Sequence, residues 1–127
     1  MQEEQLAGGT LQTLTPQEVA ERFARNEIVL IDVRTPNEYA FEHIRGALLG
    51  PMATFEPNNL PTQEAKAIVF HCGSGIRSRA VAGRYLDAGF ERIAHMGGGF
   101  TAWKQAGLPY VATDPATGGP KNVPGKS

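Results

Sequence analysis

Two segments of this chain, Ile28-Val29-Leu30-Ile31-Asp32-Val33 and Ala67-Ile68-Val69-Phe70-His71, run apolar and β-branched without the polar alternation of a half-solvated strand. Successive side chains on a strand point to opposite faces, so such a run requires cover on both. A weaker run of the same kind is Arg92-Ile93-Ala94-His95. Helix-forming segments separate these runs, and strands buried on both faces with helices between them imply a parallel sheet joined by crossovers. A chain of 127 residues supplies one such core and not two.

Thr15-Pro16-Gln17-Glu18 and Thr35-Pro36-Asn37-Glu38 share one helix-start pattern: Thr as N-cap, Pro at the first helical position and Glu completing a capping box. The first predicts a helix to about Arg25 with Val19, Ala20 and Phe23 on one face; the second predicts a shorter helix through Tyr39, Phe41 and His43. Further helices are expected over 78–87, stopped by Gly89, and over 100–106, ahead of Gly107-Leu108-Pro109. Short strands are expected at 11–14 and 47–49, and 52–66 reads as a loop with one helical turn. The polar, acidic residues 1–9 read as a flexible N-terminal extension to a domain spanning 10–110. Residues 111–127, with Asp114-Pro115, Gly118-Gly119-Pro120 and Pro124-Gly125, read as a disordered tail.

Charge and cysteine content narrow the function. Twelve basic and 13 acidic side chains leave a net charge of -1, against the excess of Lys and Arg that nucleic-acid or membrane-surface binding needs. The single cysteine, Cys72, forms no internal disulfide, CxxC redox pair or multi-cysteine zinc site. Three scattered histidines add no ligand spacing, so neither a metal nor another cofactor is expected. With no apolar stretch of membrane-spanning length and no basic-then-apolar leader, a cytoplasmic location is expected.

Cys72 stands in His71-Cys72-Gly73-Ser74-Gly75-Ile76-Arg77-Ser78, where a buried strand ends and a helix begins. Ligands of open α/β sheets bind beyond the carboxyl ends of the strands. Two glycines allow the backbone to curl with several N–H groups directed at one point, and the following helix adds the positive end of its dipole. A thiol held there ionises more readily than a free one and becomes a nucleophile. Arg77, followed by Arg79 and Arg84, adds positive charge, so an anionic substrate is expected.

Three stretches carry a family resemblance: Ile31 to Tyr39 with His43-Ile44-Arg45-Gly46-Ala47; the loop Cys72 to Ser78; and Gly97-Gly98-Gly99-Phe100-Thr101-Ala102-Trp103 ending at Gly107-Leu108-Pro109. In order and spacing the chain resembles the single-domain rhodaneses, a sulfurtransferase family, over residues 11–109. It departs from the family pattern at Arg45, where many members have proline, and at Glu42, where glycine is usual. The resemblance implies a three-layer α/β sandwich around a mostly parallel five-stranded sheet. It implies that Cys72 takes a sulfane sulfur from thiosulfate or a persulfide and passes it to cyanide, a thiol or a protein acceptor. It also implies that the persulfide is held by the loop formed by Gly73, Ser74, Gly75, Ile76, Arg77 and Ser78, its amides acting as an oxyanion hole does. Cys72 and Arg77 enclose four residues, whereas the related dual-specificity and tyrosine phosphatases enclose five, a wider cradle suited to phosphate. A phosphatase or arsenate reductase of the same fold is the enzymatic alternative, and a non-enzymatic sulfur-carrier or partner-binding module is the other.

Neighbouring polar residues have plainer readings. His71 ends a strand with its side chain turned away from Cys72. Asp32, Arg34 and Glu38 form a structural charge network, with Glu38 serving its helix cap, and His43 is structural too. His95 ends a strand on the edge that carries the loop. Gly97-Gly98-Gly99 lacks the Lys-Ser/Thr of a nucleotide P-loop and reads as a tight turn beside the active loop; Trp103 is core or a pocket wall.

Overall fold

The computed structural model describes residues 1–126. Its elements in chain order are β1 (Gln2–Leu6), β2 (Gly9–Leu14), α1 (Pro16–Ala24), β3 (Ile28–Asp32), α2 (Pro36–Phe41), β4 (Glu42–His43), β5 (Leu48–Leu49), β6 (Ala67–His71), α3 (Ile76–Asp87), β7 (Arg92–Met96), α4 (Gly99–Gln105), β8 (Tyr110–Thr113) and β9 (Pro120–Val123). Single 3-10 turns at Met52–Thr54 and Pro57–Asn59 interrupt the long loop before β6. The main sheet runs β1-β2-β7-β6-β3-β5. The five strands from β2 to β5 are mutually parallel, and β1 joins the β2 edge antiparallel.

The unbroken apolar runs have a direct cause in this arrangement. Along β3, Ile31 packs into one core with Val33 beyond the strand end, while Ile28 and Leu30 pack into the other; along β6, Ile68 and Phe70 oppose Val69 in the same way. The first core lies under α3, through Val81, Ala82, Tyr85 and Leu86. The second lies under α1 and α4, through Val19, Phe100 and Trp103, so this one domain carries two apolar layers, one on each face of its sheet, where its length alone suggested a single core. Cys72 falls in the α3 layer, and His71, one residue earlier, faces the α1/α4 layer against Phe100.

Both predicted capping boxes form: Thr15 accepts from the Glu18 amide and Thr35 from the Glu38 amide, each glutamate answering the cap backbone. The second helix ends at Phe41, not at His43. Glu42 turns extended (φ -151°, ψ 140°), and β4 pairs antiparallel with β8.

The two ends depart most from the composition-based expectation. Residues 1–9, read as flexible, supply β1 through a turn at Ala7-Gly8, whose φ angles of 50° and 84° suit a tight hairpin. Within the region read as a disordered tail, β8 pairs with β4 and β9 completes a small second sheet; residue 127 lies outside the described residues. Backbone pairing organises both ends with little apolar burial: β1 is almost wholly exposed, and β8 buries only Val111. Hydrophobic patterning has nothing to register there. No helix among the described residues is long and apolar enough to cross a membrane.

Candidate active site

Cys72 follows β6 directly, and the chain then reverses around its sulfur. Sγ accepts hydrogen bonds from the amides of Gly75 at 3.1 Å and Ser78 at 3.3 Å. Gly75, at φ 103°, is the N-cap of α3, which therefore starts at Ile76, one helical step before Arg77. That left-handed conformation suits glycine, and a Cβ there would also lie 3.3 Å from the Gly98 nitrogen.

The loop is shaped from outside by the start of α4. The Phe100 amide donates to the Cys72 carbonyl at 2.8 Å, and the Thr101 amide to the Gly73 carbonyl at 3.1 Å. In a trans peptide the N–H points opposite to the C=O, so drawing these two carbonyls outward turns the amides of Gly73 and Ser74 inward. The glycine run makes the approach possible: a Cβ on Gly99 would lie 2.6 Å from the Cys72 carbonyl oxygen. The Gly97-Gly98-Gly99 turn is thus the outer wall of the loop around Cys72.

Two opposing effects act on the thiol. Burial raises its pKa, since the residue has no exposed surface, but donors from the Ser78 amide and hydroxyl and from the Gly75 and Ser74 amides outweigh it. The net result is a pKa below that of an ordinary cysteine.

Arg77 lies over the loop, its Nη2 3.3 Å from where a Cβ of Gly73 would stand. Its guanidinium is held by both oxygens of Glu38, at 2.8 and 3.0 Å. This pair holds the Glu38 carboxyl down to about 2, helped by the Thr35 amide and hydroxyl against the opposing effect of burial. Glu38 therefore does more than cap α2. The other two arginines of the predicted cationic group are engaged elsewhere: Arg79 pairs with Glu4, and Arg84 stacks on Phe55 and donates to the Met52 and Phe55 carbonyls. A cavity of about 510 Å3 opens beside Arg77, walled by Val33, Pro36, Pro51, Met52 and Arg84. A separate apolar cavity of about 340 Å3, between Phe23, Trp103 and Tyr110, shares no residue with the loop.

The remaining candidates sort by sheet face. On the α1/α4 side, Asp32 receives Arg34 through Nε at 3.0 and 3.1 Å and Nη2 at 2.7 Å, and His71 Nε2 lies 3.6 Å from the same carboxylate. Burial holds His71 below the ordinary histidine pKa, with Asp32 opposing. His43 stacks on Tyr39 and donates from Nδ1 to its carbonyl. Trp103 is core, its indole N–H donating to the Pro109 carbonyl at 2.8 Å. On the α3 side, His95 Nδ1 lies 2.8 Å from Ser78 Oγ, a contact that strand-edge placement hinted at and the loop motif did not specify. Among the described residues no cluster of His, Cys, Asp and Glu could hold a metal ion.

The sequence profile of the rhodanese-like domain matches residues 15–106. The uncharacterized protein slr1261 of Synechocystis is 40% identical over 101 residues, which are 80% of this chain and 56% of that protein. This chain thus spans little more than half of that relative's length. Thiosulfate sulfurtransferase GlpE of Coxiella burnetii is 33% identical over 87 residues, covering 68% of this chain and 81% of the relative. A rhodanese-related protein from Thermoplasma volcanium superimposes with a TM-score of 0.68 at 22% identity, covering 79% of this chain and 97% of its own. Fold, the Cys72–Ser78 loop and sequence similarity agree: this chain belongs to the rhodanese-like family.

Proposed function

We propose that the protein is a sulfurtransferase that carries a sulfane sulfur on Cys72, with thiosulfate or a small persulfide as donor and cyanide, a thiol or a protein thiol as acceptor. The observation that carries this reading is the convergence of loop amides on one sulfur atom, across a segment of four residues between Cys72 and Arg77. Relatives named sulfurtransferase support it, among them the Coxiella burnetii protein.

In the first half-reaction the Cys72 thiolate attacks the outer sulfur of thiosulfate. A new S–S bond forms, the old one breaks, and sulfite leaves with the electron pair. The terminal sulfur of the resulting persulfide carries the negative charge, stabilised by amides already aimed at the loop centre, so little reorganisation accompanies transfer. In the second half-reaction the acceptor attacks that terminal sulfur: cyanide leaves as thiocyanate, a thiolate as a persulfide, and Cys72 returns as thiolate. One cysteine suffices, and ping-pong kinetics follow. Arg77 supplies the positive charge that meets the anionic donor.

Incubation with thiosulfate followed by cyanide tests the proposal. Thiocyanate should form catalytically, and Cys72→Ser should abolish it. Efficient hydrolysis of an aryl phosphate with no thiocyanate formed would replace this reading with that of a phosphatase. Sulfur loading followed by transfer to a protein acceptor alone would replace it with that of a dedicated carrier.

A further inference from the structure

The steps proposed at Cys72 make no use of the cavity of about 340 Å3 in the α1/α4 layer, on the other face of the sheet. Ala20 and Phe23 of α1, Trp103 of α4 and Tyr110 of β8 wall it, with β9 along one side. Small-molecule pockets begin at about this size, roughly 300–1,000 Å3, and are mostly apolar with a few polar groups. Arg45 is the one charged residue of the lining, which holds no carboxylate. The Arg45 guanidinium donates to the side-chain oxygen of Asn122, also in the lining, and among the described residues it joins no ion pair. Lys104, whose ammonium lies 5.6 Å from the centre of the Tyr110 ring, is already neutralised by Glu42 at 2.8 Å. The uncompensated charge of this region therefore belongs to Arg45, one of the two positions at which the chain departs from the family pattern.

We propose that this cavity binds a small organic monocarboxylate, its apolar body against Phe23, Trp103 and Tyr110 and its carboxylate on Arg45. Removing apolar surface of ligand and walls from water drives entry. The head group stays at the exposed Arg45 and keeps most of its hydration, so its charge is not carried into the apolar interior. A guanidinium fork matches a carboxylate with two parallel hydrogen bonds, whereas the Asn122 amide offers it one neutral oxygen. The carboxylate is the stronger acceptor and can take the place of Asn122. A cation would meet the Arg45 charge with no carboxylate in the lining to offset it. A bare inorganic anion would gain nothing from three aromatic walls.

Octanoate is the probe, with octanol and octylammonium as its neutral and cationic counterparts. Trp103 is the only tryptophan and lines the cavity, so intrinsic fluorescence reports this one place. The titration involves neither Cys72 nor a sulfur donor, and its outcome is independent of the sulfurtransferase proposal. Octanoate should change the Trp103 emission saturably and bind at least about fivefold more tightly than octylammonium. Arg45→Gln, at an exposed position that the fold tolerates, should weaken octanoate by about three- to fivefold and leave octanol unchanged. Ala20→Leu fills part of the cavity and should weaken octanoate and octanol alike. The absence of a saturable change with octanoate, or an Arg45→Gln variant that binds it as wild type does, would overturn the proposal. Octylammonium binding as tightly as octanoate would also overturn it, and would assign the cavity to an uncharged apolar group such as a partner protein's side chain.

Discussion

Two arginine–carboxylate pairs stand near the carboxyl edge of the sheet, and they differ in nearly everything except chemistry. Arg34 and Asp32 are buried; Arg34 also donates to the Glu42 carbonyl at 2.7 Å and covers the Phe100 ring at 4.8 Å. Arg77 and Glu38 form an equally good fork, but their side chains are 37% and 38% exposed. A buried pair is tied into its surroundings, and removing one partner strands the other charge. A half-exposed pair can exchange partners with water or a substrate at little cost. The first pair holds the β3 end in place; the second keeps a cation over the Cys72–Ser78 loop, where the proposed anionic donor would engage it.

The largest expected effect falls on the buried pair. Arg34→Ala leaves Asp32 charged, buried and unpaired, and should destabilise the fold by about 3–5 kcal/mol in urea denaturation. A loss below about 1 kcal/mol would mean that the pair does not brace the site. Arg77→Ala should reverse the pattern. Its cost in stability should stay within about 1 kcal/mol, while kcat/KM for thiosulfate falls roughly tenfold, the loss of one charge-assisted contact. Unchanged thiosulfate kinetics would remove Arg77 from donor binding.

Glu38→Gln separates competition from positioning. Glutamine can still complete the capping box, so α2 should persist, while Arg77 is released from its carboxylate. The KM for thiosulfate should fall by a few fold; a rise would show that Glu38 holds Arg77 in place for the donor. The smallest effect lies in the pH dependence of stability. His71 lies below its ordinary value of 6.5, so the unfolded chain takes up its proton first, and stability should begin to fall as pH drops below about 6.5. Glu38 is held down to about 2 from 4.5, and its contribution is present above pH 4.5 and lost as pH falls from there towards 2. His71→Gln should remove the upper part of that decline, and Glu38→Gln the lower part.

How much of this was legible in the sequence depends on what each feature is made of. The central strands, the capping boxes and the helix stops at Gly89 and Gly107 are local patterns, and they read correctly; the end of α2 did not, because Glu42 and His43 leave the helix to pair with β8, far along the chain. The loop Cys72 to Ser78 was legible because its glycines and its place between a strand and a helix are also local. The turning of its carbonyls by Phe100 and Thr101 was not, since that contact joins segments far apart in the chain. Glu38 was hidden by its own cap: one local role was sufficient to explain it, and the Arg77 pair needed the fold. His95 became informative only once β7 was set beside β6 and α3 brought Ser78 over it. The terminal strands escaped notice because edge pairing leaves little apolar signature in residues 1–9 or 111–126.

The central claim is that Cys72 carries sulfur, and mass spectrometry of the intact protein before and after thiosulfate tests it most directly. Wild type should gain the mass of one sulfur atom, localised to Cys72 and removed by cyanide, and Cys72→Ser should gain none. An unchanged mass in folded, reduced wild-type protein, or the same gain in the serine variant, would contradict the account.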